Sequence, residues 1–218
     1  MIPFMESQSV WRGARLQAWR DPRQGGWRDR LPPGMPVSSS GVILLICLAV
    51  YLVGLALPID SYLALDPDLV IRRPWTLFTH MFVHASFDHL FWNMLFLFFF
   101  GMELERRVGE RRFLEIYFLS GLVAALAQML AFQGVLVGAS GALYGVLGCL
   151  AMIAPEIRVL IFFVIPLGIR AAVVLFALLD FLMIGSPDNI AHMAHIAGLL
   201  VGLAFGHSMR RRPGYQYL

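Results

Sequence analysis

Lysine is absent from this chain, and all 17 of its basic side chains are arginine. We read that absence as a coding bias without functional content. The scarcity of charge says more. Charged residues fill 14% of 218 positions, against about a quarter in an ordinary soluble domain, which excludes one here. Cysteine is nearly absent too. Cys47 and Cys149 each lie in an apolar run, and neither belongs to a CxxC pair or a Cys/His cluster. A disulfide framework and a cysteine zinc site are therefore excluded, and both residues read as small buried hydrophobes. An early hydrophobic run is also missing. About 40 polar residues precede Gly41, which argues against a cleaved signal peptide. Residues 1–36 are rich in Arg, Gly, Gln and Pro with scattered Trp, and read as a mobile or membrane-surface tail. Glu6, Asp21 and Asp29 weaken a mitochondrial targeting reading, because such segments avoid acids.

What is present is hydrocarbon: 59% of the residues are hydrophobic. A span needs roughly 20 apolar residues to cross about 30 Å. Six candidates satisfy or approach that length: Gly41 to Pro58, about Ser86 to Met102, about Phe113 to Phe132, Ser140 to before Pro155, about Ile169 to Ile184, and about Ile190 to His207. No internal repeat of the transporter type accompanies them. With six spans the termini share a side, and that side collects 15 of the 17 arginines, leaving Arg72 and Arg73 on the other. Cytoplasmic flanks gather basic residues, so both ends are expected in the cytoplasm. The expected organisation is a polar tail over 1–40, a six-helix membrane domain over 41–207 and a short basic tail over 208–218.

The fourth candidate is short. Ser140 to Ala154 is 15 residues, about 22 Å of helix at 1.5 Å per residue. If its far end reaches the cytoplasmic surface near Pro155, its near end stops inside the outer leaflet. The preceding loop, QGVLVGA, must dip in to meet it. Non-helical backbone is tolerated there only where protein buries it or an aqueous cavity adjoins it. A pocket is therefore expected at Ser140.

Polar groups inside a membrane point to function. His89 and Asn93, spaced i, i+4, share one helix face. Ser140 heads the fourth span and His195 lies early in the sixth. Spans two, four and six all run inward from the outer side, so these four residues are expected at similar depth. Span six also carries Ala194, Gly198, Gly202 and Gly206 at intervals of four, and span four carries Gly141, Gly145 and Gly148. Such stripes let helix backbones approach closely, which would bring a serine and a histidine together. Plainer readings exist for each residue. Ser140 alone could be a helix N-cap or packing residue, and His195 an interhelical hydrogen-bonding group. Tyr144, one turn after Ser140, could pack the interior or brace the histidine ring. His80 and His84 have a metal-compatible spacing but lack a convincing third ligand. Asp180 reads as a structural hydrogen-bond partner in preference to a third catalytic member.

Together, HASFDHLFWNMLFLFFFGMELERRVG, GASGALYGVLG and AHMAHIAGLLVG resemble the rhomboid intramembrane serine proteases, in the expected order from about Pro74 to Gly206. The resemblance implies an all-α, six-transmembrane-helix bundle and an endopeptidase. It implies that Ser140 is the nucleophile and His195 the general base, with His89, Asn93 and the Ser140 backbone N–H binding the oxyanion. Gly138 and Gly141 flank the nucleophile, and Tyr144 matches an aromatic packed on the catalytic histidine. His84 matches a histidine near the mouth of the site, and Glu105 a structural acid at the cytoplasmic end of span two. The segment PWTLFTH corresponds to the family's membrane-embedded loop. There Trp75 is followed by Thr76, where many members have arginine. Substrates are expected to be single-span membrane proteins cut within or near their helix, in the bilayer, with no cofactor, no metal and no nucleic acid. A six-span core resembles bacterial plasma-membrane members more than mitochondrial ones. Two other classes compete: an inactive relative serving as membrane chaperone or scaffold, and a channel or transporter.

Overall fold

A computed structural model of the chain describes residues 38–131, 134–161, 164–186 and 190–211. The N-terminal tail up to residue 37 and residues 212–218 lie outside the described residues, as does Phe132 at the expected end of span three.

Helical segments stand at all six expected positions. Helix α1 covers Ser39–Gly54. Helix α2 (Phe87–Phe96) runs on through a π-helical turn, Leu97–Gly101, into α3 (Met102–Val108). Then come α4 (Glu110–Ala131), α5 (Ser140–Ile153), α6 (Ile169–Leu182) and α7 (His192–Arg210). Among the described residues, only α4 is by itself long and apolar enough to cross a membrane; α1 and α5 are shorter apolar helices. With 14 residues, α5 is about 21 Å long.

That short helix occupies the centre. Eleven of its residues are buried, and it packs against α4 and α7. Phe113, Ile116 and Tyr117 of α4 are fully enclosed in the same core. Contact with α7 depends on glycine. A Cβ placed on Gly198 or Gly202 would collide with the carbonyl oxygens of Gly141 and Gly145 respectively. The stripes legible in the sequence thus face each other across the α5–α7 interface, where backbone meets backbone. By contrast, α1, α2 with its π-helical turn, and α6 turn large apolar side chains outward, among them Leu45, Leu52, Phe91, Phe99, Leu178 and Phe181.

One acid anchors the start of α1. The helix begins two residues before Gly41, because Ser38 caps it by accepting from the Gly41 N–H at 2.9 Å. The next two amides, of Ser39 and Ser40, donate to the two carboxylate oxygens of Glu105, each at 2.9 Å. The Ser40 hydroxyl adds a third bond at 2.6 Å. Amides left unpaired by the first helical turn therefore find an anion from α3, which also suits the positive end of the helix dipole.

Between α1 and α2 the chain forms short helical turns, Asp60–Leu63, Pro67–Leu69, Thr76–Thr79 and His80–Phe82. Trp75 donates its indole N–H to the Tyr62 carbonyl at 3.0 Å, and Thr76 bonds back to the Arg73 carbonyl at 2.7 Å. Of the two arginines in this segment, Arg73 donates to the Ser61 carbonyl at 2.6 Å and lies over the Tyr62 ring. Thr76 thus serves the local turn, and Arg73 ties the segment's two ends.

An antiparallel hairpin joins α5 to α6, and the helix-only expectation did not include it. β1 (Arg158–Ile161) pairs with β2 (Ile165–Gly168), with Val159 opposite Leu167 and Leu160 opposite Pro166. The run RVLIFFVIPLG is too short to span and rich in β-branched residues, which favour a strand.

Candidate active site

Ser140 opens α5 as its first helical residue, while Ala139 holds the cap position. The N-cap reading of Ser140 is therefore corrected: its side chain turns away from its own helix. Its Oγ lies 2.8 Å from Nε2 of His195 on α7. The close α5–α7 approach places both in reach, since Gly141 packs against the Ala194 carbonyl just before His195. Tyr144, one turn along α5, stacks on the His195 ring with centroids 4.3 Å apart and an interplanar angle of 9°. Serine and brace thus leave the same helix, while the histidine comes from its partner.

The Nδ1 edge of His195 meets α6. Its Nδ1 is 2.9 Å from Oδ1 of Asp180, and that oxygen also lies 2.6 Å from Nδ1 of His192. A carboxylate oxygen only accepts, so both histidine nitrogens act as donors. Oδ2 of Asp180 is buried and has no hydrogen-bond partner. These three side chains form the one group of potential metal ligands among the described residues. His80 and His84 do not join it. His80 directs Nδ1 to the Thr76 carbonyl at 2.9 Å.

A cavity of about 730 Å³ opens over Ser140 and His195, lined also by His89, Asn93, Gln128 and His192. Its floor is held by backbone. Leu136, in the loop before α5, exchanges both backbone hydrogen bonds with Leu65, at 2.8 and 3.0 Å. Gly138 donates to the His80 carbonyl at 2.9 Å. The irregular chain ahead of α5 is therefore paired with protein, as buried backbone polar groups require. Gly138 has φ +108°, and a Cβ there would sit 2.5 Å from Nε2 of His89. Only glycine satisfies both the turn and the ring beside it.

Asn93 is buried and donates one amide hydrogen to the His89 carbonyl at 2.8 Å. A primary amide has a second hydrogen, so a donor remains for a ligand. His84 directly precedes Ala85 and Ser86, which line the cavity. It is 2% exposed and stands edge-on to His89 at 5.1 Å, behind the cavity lining. Glu105 belongs to the opposite end of the fold, at the start of α1. The structure thus gathers Ser140, His195, His89, Asn93 and Tyr144, sets Gly138 and Gly141 as close-packing points, and separates Glu105 from them.

Three contributors were underweighted or missed by sequence reasoning. Asp180 was visible as an acid in an apolar helix, but its partner was not. His192 stands three residues before His195, on the same helical face. Gln128 is a polar residue late in the apolar α4 run.

A model of the Rhomboid domain matches residues 72–212 of this chain. Similar proteins include RHOMBOID-like protein 1 of Arabidopsis thaliana, 34% identical over 173 residues, covering 74% of this chain and 42% of that protein. Rhomboid protein 1, mitochondrial, of Saccharomyces cerevisiae is 33% identical over 160 residues, covering 68% and 45%. Rhomboid protease GlpG of Salmonella typhi is 30% identical over 176 residues, covering 75% and 60%. The chain spans about half the length of the curated relatives it matches.

Proposed function

The chain belongs to the rhomboid family, and from that premise we propose that it is an intramembrane serine endopeptidase with Ser140 as nucleophile and His195 as general base. The observation that carries this reading is the 2.8 Å contact between Ser140 Oγ and His195 Nε2 at the floor of a cavity. Relatives named as rhomboid proteases support the activity.

In the reaction, Nε2 takes the hydroxyl proton as Oγ bonds to the scissile carbonyl carbon. The oxyanion meets the Ser140 backbone N–H at the start of α5, the spare Asn93 amide hydrogen and the His89 ring. His195 then gives its proton to the leaving amine, and water entering through the cavity hydrolyses the acyl-enzyme. Substrates are single-span membrane proteins, cut within or near their helix where it can unwind. Unwinding is required because helical carbonyls are occupied by hydrogen bonds.

Family membership makes the chain an integral membrane protein. We further propose that its six helical segments form six spans with both ends cytoplasmic, on the strength of the arginine asymmetry. The site then opens to the extracytoplasmic side. Relatives include plant and mitochondrial proteins beside bacterial ones, so the bacterial plasma membrane rests on the six-span count alone.

The test is cleavage of a single-span model substrate by the full chain in proteoliposomes. Wild type is expected to cleave, and Ser140→Ala and His195→Ala to lose turnover while keeping their melting temperature. Undiminished cleavage by either variant overturns the assignment. A fluorophosphonate probe is expected to label wild type and not Ser140→Ala.

A further inference from the structure

We propose that Asp180 is a positioning residue for His195, so that the proteolytic centre works as a buried Ser140–His195–Asp180 array braced by His192. This inference rests on the dyad reading above and extends it to a third helix.

The tautomer of His195 is the first consideration. Neutral imidazole carries one N–H and one lone pair, and catalysis needs the lone pair on Nε2, facing Ser140. Because Oδ1 of Asp180 can only accept, the 2.9 Å contact fixes the hydrogen on Nδ1. The stacked Tyr144 ring restrains the plane but cannot choose between nitrogens. Asp180 makes that choice.

Burial is the second. Asp180 is 4% exposed, and a carboxylate removed from water is costly unless hydrogen-bonded. His195 and His192, three residues apart on α7, both reach Oδ1. His192 therefore holds the carboxylate in place independently of the ring that turns over. When His195 becomes imidazolium, Asp180 faces it with a full negative charge and takes no proton. The proton moves only from Oγ to Nε2 and on to the leaving amine.

The same three residues could be read as a metal site. Tetrahedral zinc, with ligands at about 2.0–2.1 Å, keeps its donor atoms roughly 3.3 Å apart. Separations of 2.6 and 2.9 Å are instead those of direct hydrogen bonds.

The experiment compares wild type, Asp180→Asn and Ser140→Ala, each as the full chain in proteoliposomes with a single-span model substrate. Asp180→Asn keeps shape but lets an amide N–H face Nδ1 and invert the tautomer. The expected result is a fall in kcat of about 10² to 10⁴, with KM within twofold and an unchanged melting temperature. Nitrogen-15 NMR of histidine-labelled wild type is expected to show the Nδ1–H tautomer at His195, and Asp180→Asn to lose it. Asp180→Asn turning over within twofold of wild type, while Ser140→Ala is inert, overturns this inference and leaves the dyad standing. Cleavage by Ser140→Ala overturns the dyad itself. Should Asp180→Asn fail to fold, the wild-type spectrum decides: an Nε2–H tautomer at His195 overturns the role of Asp180.

Discussion

Among the described residues two carboxylates are buried to the same degree, Glu105 and Asp180, each 4% exposed. Glu105 receives two backbone amides and a hydroxyl, distributed over both oxygens. These two amides and one hydroxyl do not change protonation near neutral pH, and their consequence is architecture. Asp180 receives two imidazoles on a single oxygen, and its other oxygen has no hydrogen-bond partner. Both donors are imidazoles, which can change protonation near neutral pH, and one of them, His195, is the proposed base. A saturated carboxylate fixes a helix, and a half-saturated one facing titratable rings is suited to a reaction. Burial alone would not have distinguished them.

The comparison breaks most visibly at Glu105. Replacing it with Ala strands two buried amides, each costing on the order of 1–3 kcal/mol. A fall of several degrees in melting temperature is expected, with activity lost only in proportion to the unfolded fraction. A Glu105→Ala protein that melted like wild type but had lost kcat would erase the distinction drawn here. Next in size is Asn93→Ala, which removes a spare donor on the Asp180 side of the molecule. Loss of one oxyanion donor typically costs about 10² to 10³ in rate, so turnover is expected to drop by about that factor at constant melting temperature. Full activity of Asn93→Ala on every substrate tried would end its oxyanion role. The smallest effect is expected at Tyr144, whose ring is stacked on His195. Tyr144→Phe keeps the ring stacked on His195 and should change kcat by no more than a few-fold. Tyr144→Ala, which removes the stack, should reduce kcat more. Equal rates for the two variants would show that the ring does not brace His195.

Much of this was legible beforehand for identifiable reasons. Long apolar runs bounded by Gly41, Pro58, Pro155 and the arginine clusters announce helices. The four-residue glycine periodicity of α7 names its packing face whatever the neighbour, because only small residues permit that approach. The short α5 implied a pocket at Ser140 by length alone. Other features had no local signal. A helix apolar on all sides lacks an amphipathic phase, so nothing in LLDFLMIG says which way Asp180 points. In the segment 158–168 periodicity alone does not separate strand from helix, and the β-branched residues that favour a strand are a weak signal beside the long helical runs around them. Arg73 could not be matched to Ser61 because a turn, and no periodicity, brings them together.

By itself, then, the sequence determined an apolar helical protein of the rhomboid kind, with a serine and a histidine on two helices able to touch. The helical character and the close approach follow from composition, run length and spacing along one chain, and the rhomboid likeness from the resemblance of three motifs. The rotation of α6 that brings Asp180 to His195 was decided by tertiary packing, as were the burial of His84 behind His89 and the use of Glu105 to cap α1. Each depends on the angle of one helix about its own axis relative to its neighbours. That angle is set by all the surrounding side chains at once, and no stretch of sequence specifies it alone.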